Sequence, residues 1–233
     1  KEFSEKAQVK SLAEYQKFYD RSIKDPAGFW GERAEQIDWF KKWDKVVVED
    51  FANAKHEWFV GGKLNASYNC IDRHLKTWRK NKAAIIWQGE PEGDRKTYTY
   101  QELYYEVCRF ANVLKKHGIK KGDRVSIYLP MIPELAISLL ACARIGAIHS
   151  VIFGGFSAEA LRDRIQGCDS ETVICCDGYY RSGKVVQSKA NADAAMDASP
   201  MVKRAFVVKR VGVDVPMKEG RDHWWHEEIA APD

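Results

Sequence analysis

Long apolar stretches and a secretory leader are both missing from this sequence. No run of 18 apolar residues occurs, although a helix that spans a membrane needs about 20. The first residues, K-E-F-S-E-K-A-Q, lack the apolar segment of a secretory signal. We therefore expect a soluble protein that has no membrane partner. Because the first residue is Lys1 rather than methionine, the sequence leaves open an upstream targeting segment that has been removed.

An excess of charge of one sign is also missing. Lys and Arg together number 37, and Asp and Glu number 33, which gives a net charge of +4. Proteins that coat nucleic acid carry a strongly basic face, and this near balance disfavours that class. We expect no nucleic-acid partner, while a local site for a small anion is compatible with the composition.

The cysteines lack the C-x-x-C spacing of many zinc sites and redox-active pairs. Most lie within apolar patterns, which indicates small buried hydrophobic residues. Cys175 and Cys176 are adjacent in a predicted strand, so their side chains point to opposite faces and suit neither a disulfide nor a shared metal. A reducing cytoplasm is the simplest location. The six are Cys70, Cys108, Cys142, Cys168, Cys175 and Cys176.

The 233 residues suffice for one large domain or two small ones, since 45% are apolar and 12% are aromatic. Composition divides them into three zones. We expect residues 1–75 to form an N-terminal extension that packs on a larger body. Residues 76–210 would form an α/β subdomain, and residues 211–233 a tail.

The N-terminal extension is rich in aromatic residues and shows little strand character. It contains four of the eight tryptophans. A platform on which bases stack would need a basic groove among the rings, whereas acidic residues lie among them here. We therefore expect the rings to serve packing. The tryptophans are Trp30, Trp39, Trp43 and Trp58, and the acidic residues are Asp38, Asp44, Glu49 and Asp50.

Short apolar strands alternate with helices between residues 76 and 210. Thr99 and Glu102 predict a capping box at the start of one helix, because each satisfies a backbone amide of the other. Nearly continuous apolar strands separated by helices predict a mostly parallel, doubly wound α/β sheet with helices on both faces. The expected strands are 83–87, 96–98, 124–129, 148–153, 172–176 and 205–208.

Two glycine-containing turns follow strands of this predicted sheet. The glycine turn comprises residues 153–157, F-G-G-F-S, and the basic loop comprises residues 178–184. Because ligands bind at the carboxyl ends of parallel strands, we expect both turns at the same, ligand-binding edge. The glycine turn alone is weak support for a site, since two glycines before a serine N-cap also serve simply to begin a helix.

The basic loop reads G-Y-Y-R-S-G-K-V when Val185 is included, one residue away from the phosphate-loop pattern G-x-x-x-x-G-K-[ST]. Val185 has no hydroxyl with which to ligate Mg²⁺, which disfavours an ATPase. Arg181 and Lys184 flank Gly183, and a guanidinium fork beside an ammonium suits a phosphate. An anion site and a solvated basic loop are about equally compatible with this spacing.

Other polar groups favour structural roles. His223-x-x-His226 has the spacing of zinc ligands on a helix, but a clear third ligand is missing, which favours a surface helix. His149 is expected to be a hydrogen-bonded core residue. Asp72-Arg73-His74 predicts a structural hydrogen-bond network, because no Ser or Cys nucleophile is tied to it by spacing. We predict no catalytic residue and no metal ligand in this sequence.

Several long segments show a family resemblance. They are W-F-V-G-G-K-L-N-A-S-Y-N-C-I-D-R-H at 58–74, T-Y-T-Y-Q-E-L at 97–103 and A-C-A-R-I-G-A-I-H-S-V-I-F-G-G-F-S at 141–157. D-P-A-G-F-W at 25–30 and D-V-P-M-K-E-G-R-D-H-W-W-H at 214–226 extend them. In order and spacing they resemble the acetyl-CoA synthetases, which are adenylate-forming enzymes. The resemblance covers nearly the entire chain and implies part of the large N-terminal domain of such an enzyme.

The resemblance implies an ATP-dependent acetate:CoA ligase. Such enzymes use ATP and Mg²⁺ to make acetyl-adenylate and diphosphate, and CoA then gives acetyl-CoA and AMP. The family's phosphate loop, T-S-G-S-T-G-x-P-K-G, is absent from these residues, as are its later nucleotide motifs and its C-terminal catalytic lysine. We therefore expect an N-terminal fragment that is not catalytically competent without the C-terminal part of the same ligase.

The resemblance also implies a ligand for the two turns. In the family, the matching positions contribute to the site for the nucleotide end of CoA. Bacterial members often have arginine at the position of Lys184, so the charge is kept here while the bidentate fork is lost. The matching residues are Arg181, Ser182, Gly183 and Lys184 of the basic loop, and Phe153, Gly154 and Gly155 of the glycine turn.

Two alternatives stay open beside an acetate ligase. One is a fragment of a propionyl-CoA synthetase-like ligase, because the family's acyl pocket lies beyond Asp233 and no residue here decides the acyl group. The other is a non-catalytic module that binds CoA or another phosphorylated nucleotide.

Overall fold

The computed structural model describes residues 2–230, which form two compact units that part between Asn65 and Ala66. Within residues 2–230, no helix is long and apolar enough to cross a membrane. The three zones expected from composition stay a proposal about the organisation of the chain. Residues 231–233 of the expected tail lie outside the described residues.

The first unit combines helices with a β-hairpin. Helix α1 spans Glu2–Lys6, α2 spans Leu12–Lys24 and α3 spans Pro26–Ala34. Strand β1, Lys45–Asp50, pairs antiparallel with β2, Lys55–Val60. The expectation of little strand character in this zone is therefore wrong.

Two features explain the first unit. The run 46–48 in β1 consists of three valines, whose branched side chains favour extended backbone. The rings of Trp39, Trp43 and Phe59 pack on one another with centroids 4.9–5.3 Å apart. These three rings thus pack within this unit, while the expected packing of the extension on a larger body stays a prediction.

The second unit contains the remaining helices and strands. A π-helical turn, Tyr68–Asp72, leads into it. Its elements are α4 (Arg73–Leu75), β3 (Ala83–Gln88), β4 (Arg95–Thr99), α5 (Tyr100–Lys116), β5 (Arg124–Leu129), α6 (Pro133–Ile145), β6 (Ile148–Phe153), α7 (Ala158–Gly167), β7 (Thr172–Cys176), β8 (Tyr179–Arg181), β9 (Lys184–Val186), α8 (Ser188–Asp197), β10 (Arg204–Val208), β11 (Asp222–Trp224) and α9 (Trp225–Ala230).

Five parallel strands form the central sheet, in the order β11-β10-β7-β5-β6. The predicted parallel α/β fold is confirmed. Strands β3 and β4 lie where the sequence predicts strands, but they form a separate antiparallel pair. Strand β11 was not foreseen, because its three residues follow a loop and show no apolar run.

Helices cover both faces of the sheet. Along β7, Val173 and Cys175 pack into the core beneath α7 and α8, while Ile174 and Cys176 pack into the core beneath α5 and α6. This alternation follows from the two-residue period of a strand. All six cysteines lie within the described residues and are unpaired. Burial raises the pKa of the Cys176 thiol to about 12, as suits an inert core residue.

Three local predictions have mixed outcomes. The capping box is confirmed, since Thr99 Oγ1 accepts from the Glu102 amide at 3.2 Å and the Glu102 carboxylate accepts from the Thr99 amide at 2.7 Å. Asp72 pairs with the Arg144 guanidinium at 2.5 and 3.2 Å, which confirms a structural network. His149 is exposed rather than in the core, because β6 is the outermost strand of the sheet.

Candidate functional site

The two turns predicted to bind a ligand lie at the same edge of the central sheet. The last residue of β6, Phe153, is level with Leu129 at the end of β5, and Cys176 ends β7 level with Val208. Both the glycine turn and the basic loop therefore leave the carboxyl ends of parallel strands. This edge is where open α/β sheets place their ligands.

The basic loop is a β-hairpin rather than a phosphate loop. Strands β8 and β9 pair antiparallel, with Arg181 directly opposite Lys184. Ser182 and Gly183 between them have φ angles of 53° and 73°, as in the two-residue turns that match the twist of a hairpin. A phosphate loop would continue into a helix at the lysine, whereas α8 begins only at Ser188. We call residues 178–186 the basic hairpin.

A carboxylate occupies the backbone donor at the tip of the basic hairpin. The Gly183 amide donates a hydrogen bond to Glu90 Oε1. A phosphate bound at that amide would first have to displace Glu90. The cations of Arg181 and Lys184, both exposed and level with each other across the hairpin, are consequently the stronger attraction for an anion.

A buried carboxylate fixes the base of the basic hairpin. Asp177 is fully buried, and its oxygens accept hydrogen bonds from the amides of Gly178, Arg210, Val211 and Gly212 at 2.7–3.2 Å. The hairpin and the loop that follows β10 are thus tied to the end of β7. Sequence reasoning missed this residue, since one aspartate after a strand gives no signal of its partners.

The Arg210 side chain holds the hairpin from its other side. Its guanidinium lies 5.0 Å from the Trp87 ring centroid and 5.2 Å from that of Tyr180, and it pairs with Asp94. The Trp87 indole in turn donates to the Met131 carbonyl at 2.7 Å. These contacts restrain Tyr180, which precedes Arg181 in the hairpin.

A cavity of about 490 Å³ opens between the two turns. Phe153, Gly154, Gly155 and Arg181 line it, so the structure brings these four predicted residues together. Ser182, Gly183 and Lys184 lie at the hairpin tip, outside the lining. The other lining residues, which sequence reasoning missed, are Leu129, Pro130, Met131, Leu135, Val151, Ile152, Tyr179 and Tyr180.

The glycine turn and the basic hairpin approach each other closely at Gly155. A Cβ atom at this position would lie 2.7 Å from Phe153 Cε1 and 3.1 Å from Arg181 Nη1. The absence of a side chain therefore lets Arg181 reach across the turn. The Tyr179 hydroxyl, which donates to the Gly154 carbonyl at 3.2 Å, links the same two segments.

An exposed ring stands at the mouth of the cavity. Phe153 is 60% exposed and meets Phe156 edge to face, with ring centroids 5.6 Å apart. The Phe156 carbonyl accepts from the Tyr128 hydroxyl at 2.8 Å, which holds the turn on the sheet. An apolar cavity with an aromatic ring at its mouth and cations at its rim suits a ligand that has an apolar or aromatic part and an anionic part.

The histidine motif of the tail does not form the expected surface helix. His223 lies in β11 and His226 in α9, so the two are not neighbours on one helix. Instead, His223 approaches His117 and Glu228. His117 is about a hundred residues earlier in the sequence, and no sequence pattern links Glu228 to either histidine.

Two protein families match the sequence. The family described as AMP-binding enzyme matches residues 71–233, and the family described as acetyl-coenzyme A synthetase N-terminus matches residues 15–70. The two matches follow one another along the chain. The resemblance inferred from sequence segments is thereby confirmed.

Curated relatives extend the similarity to the whole chain. The acetyl-coenzyme A synthetase of Alkalilimnicola ehrlichii is 56% identical over 217 residues, which are 93% of this chain and 34% of that protein. The acetyl-coenzyme A synthetase of Leptospira biflexa is 56% identical over 236 residues, which cover 100% of this chain and 36% of that protein. The chain therefore spans about a third of the length of these relatives.

A solved structure agrees in fold. The acetoacetyl-CoA synthetase from Streptomyces lividans matches with a TM-score of 0.81 and 24% sequence identity. The match covers 92% of this chain and 32% of that one. At this identity the likeness concerns the fold alone.

Proposed function

Because this chain belongs to the AMP-binding enzyme family, we propose that it is the N-terminal part of an ATP-dependent acetate:CoA ligase. The ligase would convert acetate, ATP and CoA to acetyl-CoA, AMP and diphosphate through acetyl-adenylate. The proposal rests on one observation above all, the convergence of the glycine turn and the basic hairpin on one cavity. The 56% identity to acetyl-coenzyme A synthetases supports acetate as the acid. We place the ligase in the cytoplasm.

The two turns have separate roles in the proposed CoA site. Arg181 and Lys184 would attract the 3′-phosphate of CoA, and the exposed Phe153 ring would lie against the adenine. Gly154 and Gly155 would let the nucleotide approach the backbone, while Ser182 and Gly183 form the turn that sets the spacing of the cations. A charge-assisted hydrogen bond contributes about 1.5–3 kcal/mol, and exposure to water and the nearby Glu90 carboxylate reduce that here.

The remaining chemistry belongs to parts of the ligase outside these residues. ATP and Mg²⁺ would bind there, where the acyl pocket and the catalytic lysine of the family also lie. Val185 is 46% exposed on β9 and offers only hydrocarbon, in keeping with a hairpin that binds a nucleotide without a metal ion. We therefore expect no acetyl-CoA formation by the isolated chain.

Titration of the isolated chain tests the proposed site. We expect weak binding of CoA, weaker binding of dephospho-CoA, and no binding of Mg·ATP, when each is followed by calorimetry. Arg181→Ala and Lys184→Gln should each reduce the preference for CoA over dephospho-CoA, and together abolish it, because both cations face the 3′-phosphate in this proposal. Lys80→Gln, which changes an exposed lysine outside the site, serves as the matched control.

The titration also separates the proposal from its competitors. Tight Mg·ATP binding would contradict it. Submillimolar binding that depends on the 3′-phosphate would favour a self-sufficient CoA-binding module instead of a ligase part. Equal binding of CoA and dephospho-CoA would remove the proposed role of Arg181 and Lys184.

A second prediction concerns the close approach at Gly155. Gly155→Ala places a methyl group against Phe153 and Arg181, so we expect both side chains to move and CoA binding to weaken several-fold. Stability should change by less than about 1 kcal/mol, because the ring and the guanidinium are free ends of side chains. Gly167→Ala, at the end of α7 with nothing within 4 Å of the new Cβ, is the control and should leave binding unchanged.

A further inference from the structure

Three side chains from separate segments meet beside the sheet, and we call them the histidine cluster. His117 follows the last residue of α5, His223 lies in β11 and Glu228 lies in α9. The Nε2 atom of His117 is 3.0 Å from Glu228 Oε2, and Nδ1 of His223 is 3.4 Å from Glu228 Oε1. The potential ligand atoms all lie within 4.8 Å of one another.

The surroundings hold these side chains in place. Between 17% and 27% of each side chain is exposed, so the cluster is mostly shielded and still reachable from solvent. The Phe206 ring meets the His117 ring edge to face at 5.0 Å and lies 5.9 Å from that of His223. The Arg204 guanidinium donates to the His117 carbonyl at 2.6 Å, which fixes the backbone of that histidine.

The spacing suits zinc. With Zn–N and Zn–O bonds of about 2.0–2.2 Å, neighbouring ligand atoms of a tetrahedral site are about 3.3–3.6 Å apart. His117 and His223 each place a nitrogen 3.0–3.4 Å from an oxygen of Glu228, close to this range, although the two nitrogens approach different oxygens. One ligand atom from each of the three residues lies within 4.8 Å of the others. Two imidazoles and one carboxylate also form a recognised zinc ligand set in which the fourth position holds water.

Two neighbouring cations oppose a metal ion here, the Arg204 guanidinium beside His117 and His223 and the ammonium of Lys116. The Lys116 ammonium lies 3.8 Å from Glu228 Oε2. Its side chain is 58% exposed, so it can swing into solvent when the carboxylate binds a metal. Without a metal, His117 is hydrogen-bonded to Glu228 and His223 lies beside the same carboxylate, and this state competes with metal binding.

We propose that His117, His223 and Glu228 bind one Zn²⁺ ion and that the ion ties α5, β11 and α9 together. His117 is about a hundred residues from the other two ligands along the chain, so the site exists only in the folded chain and a bound ion stabilises the folded state. The site is independent of the proposed CoA cavity, with which it shares no residue. Hard cations that prefer oxygen ligands, such as Mg²⁺ and Ca²⁺, are not expected to bind.

Zinc titration of the 233-residue chain tests the proposal. All proteins carry Cys70→Ser, because this exposed thiol could bind zinc by itself. We expect one equivalent of Zn²⁺ to bind, a higher melting temperature with Zn²⁺ but not with Mg²⁺, and tetrahedral visible absorption bands when Co²⁺ replaces Zn²⁺. His223→Asn and Glu228→Gln should each weaken zinc binding at least about 10-fold.

His226→Asn is the matched control. His226 completes the H-x-x-H spacing in the sequence but lies outside the histidine cluster, so its replacement should leave zinc binding unchanged. Circular dichroism shows whether each variant is folded, and the near-isosteric Glu228→Gln keeps the test valid if a histidine variant unfolds. Absence of stoichiometric zinc binding would overturn the proposal, as would binding that depends on His226 and not on His223 or Glu228.

Discussion

Asp177→Ala is expected to lower the free energy of unfolding of the second unit by about 3–5 kcal/mol. The carboxylate is fully buried and accepts from the amides of Gly178, Arg210, Val211 and Gly212. Its removal leaves several of these donors without a partner, and each unpaired buried donor costs about 1–3 kcal/mol. Entry of water into the space left behind would offset part of this loss.

Urea denaturation followed by circular dichroism measures this effect. Asp214→Ala removes an exposed carboxylate from the same stretch of chain as the Asp177 partners and should change the stability by less than about 0.5 kcal/mol. The stability of Asp177→Asn should fall between those of Asp177→Ala and Asp214→Ala, because the amide oxygen of asparagine still accepts hydrogen bonds. If Asp177→Ala were as stable as the Asp214 variant, the proposed tie between the hairpin and β7 would be wrong.

Lys189→Met has the second largest expected effect, also about 3–5 kcal/mol of lost stability. Lys189 is 1% exposed and its ammonium contacts Asp193 at 2.7 Å and Asp222 at 2.8 Å. Burial opposes the charge, but hydrogen bonds to these two carboxylates raise the pKa of Lys189. Methionine fills the space of the stem and leaves the fully buried Asp222 side chain with Arg221 as its remaining cation.

Lys209→Met is the matched control for the loss of the buried charge. It makes the same substitution at an exposed lysine of the same unit, directly after the end of β10. The free energies of unfolding of Lys189→Met and Lys209→Met, measured by thermal and urea unfolding, should differ by most of the expected loss of about 3–5 kcal/mol. Equal stability of the two variants would mean that the carboxylates are satisfied by Arg221 alone. Loss of the Lys189 charge should also loosen β11, because Asp222 is its first residue.

The central fold could be predicted from the sequence because its signals are local. Continuous apolar runs gave the bounds of β5, β6 and β7 to the residue, and the Thr99 cap gave the start of α5. Parallel pairing then follows from the intervening helices. The same local rules failed for β1, whose three valines lie in a segment otherwise rich in helical and aromatic patterns, for β2, where rings and charges conceal the extended pattern, and for the short strand β11.

Sequence reasoning pointed to part of the cavity lining but not to the geometry of the candidate site. The matching segment 141–157 pointed to Phe153 and Gly155, and the spacing of the basic loop pointed to Arg181; all three line one cavity. The spacing G-x-x-x-x-G-K alone could not distinguish a phosphate loop from a hairpin, because both need a flexible glycine before the lysine. Pairing of β8 with β9 and the approach of Glu90 depend on distant residues, for which local spacing gives no signal.

The histidine cluster was even less predictable from local sequence spacing than the candidate site. Ligand spacing drew attention to His223 and His226, which lie in different elements. The actual neighbours of His223 are His117, about a hundred residues earlier in the sequence, and Glu228, one of many acidic residues. Only the fold brings them together, since α9 packs on α5 and β11 pairs with β10.

Replacement of the matching first third of an acetyl-coenzyme A synthetase relative by this chain tests the central claim most directly. The chimaeric ligase should make acetyl-CoA from acetate, ATP and CoA. Arg181→Ala with Lys184→Gln in the chimaera should raise the KM for CoA about 10-fold or more and leave the KM for ATP and acetate unchanged. A folded chimaera without ligase activity would contradict the account, as would an active one whose KM for CoA does not depend on these two residues.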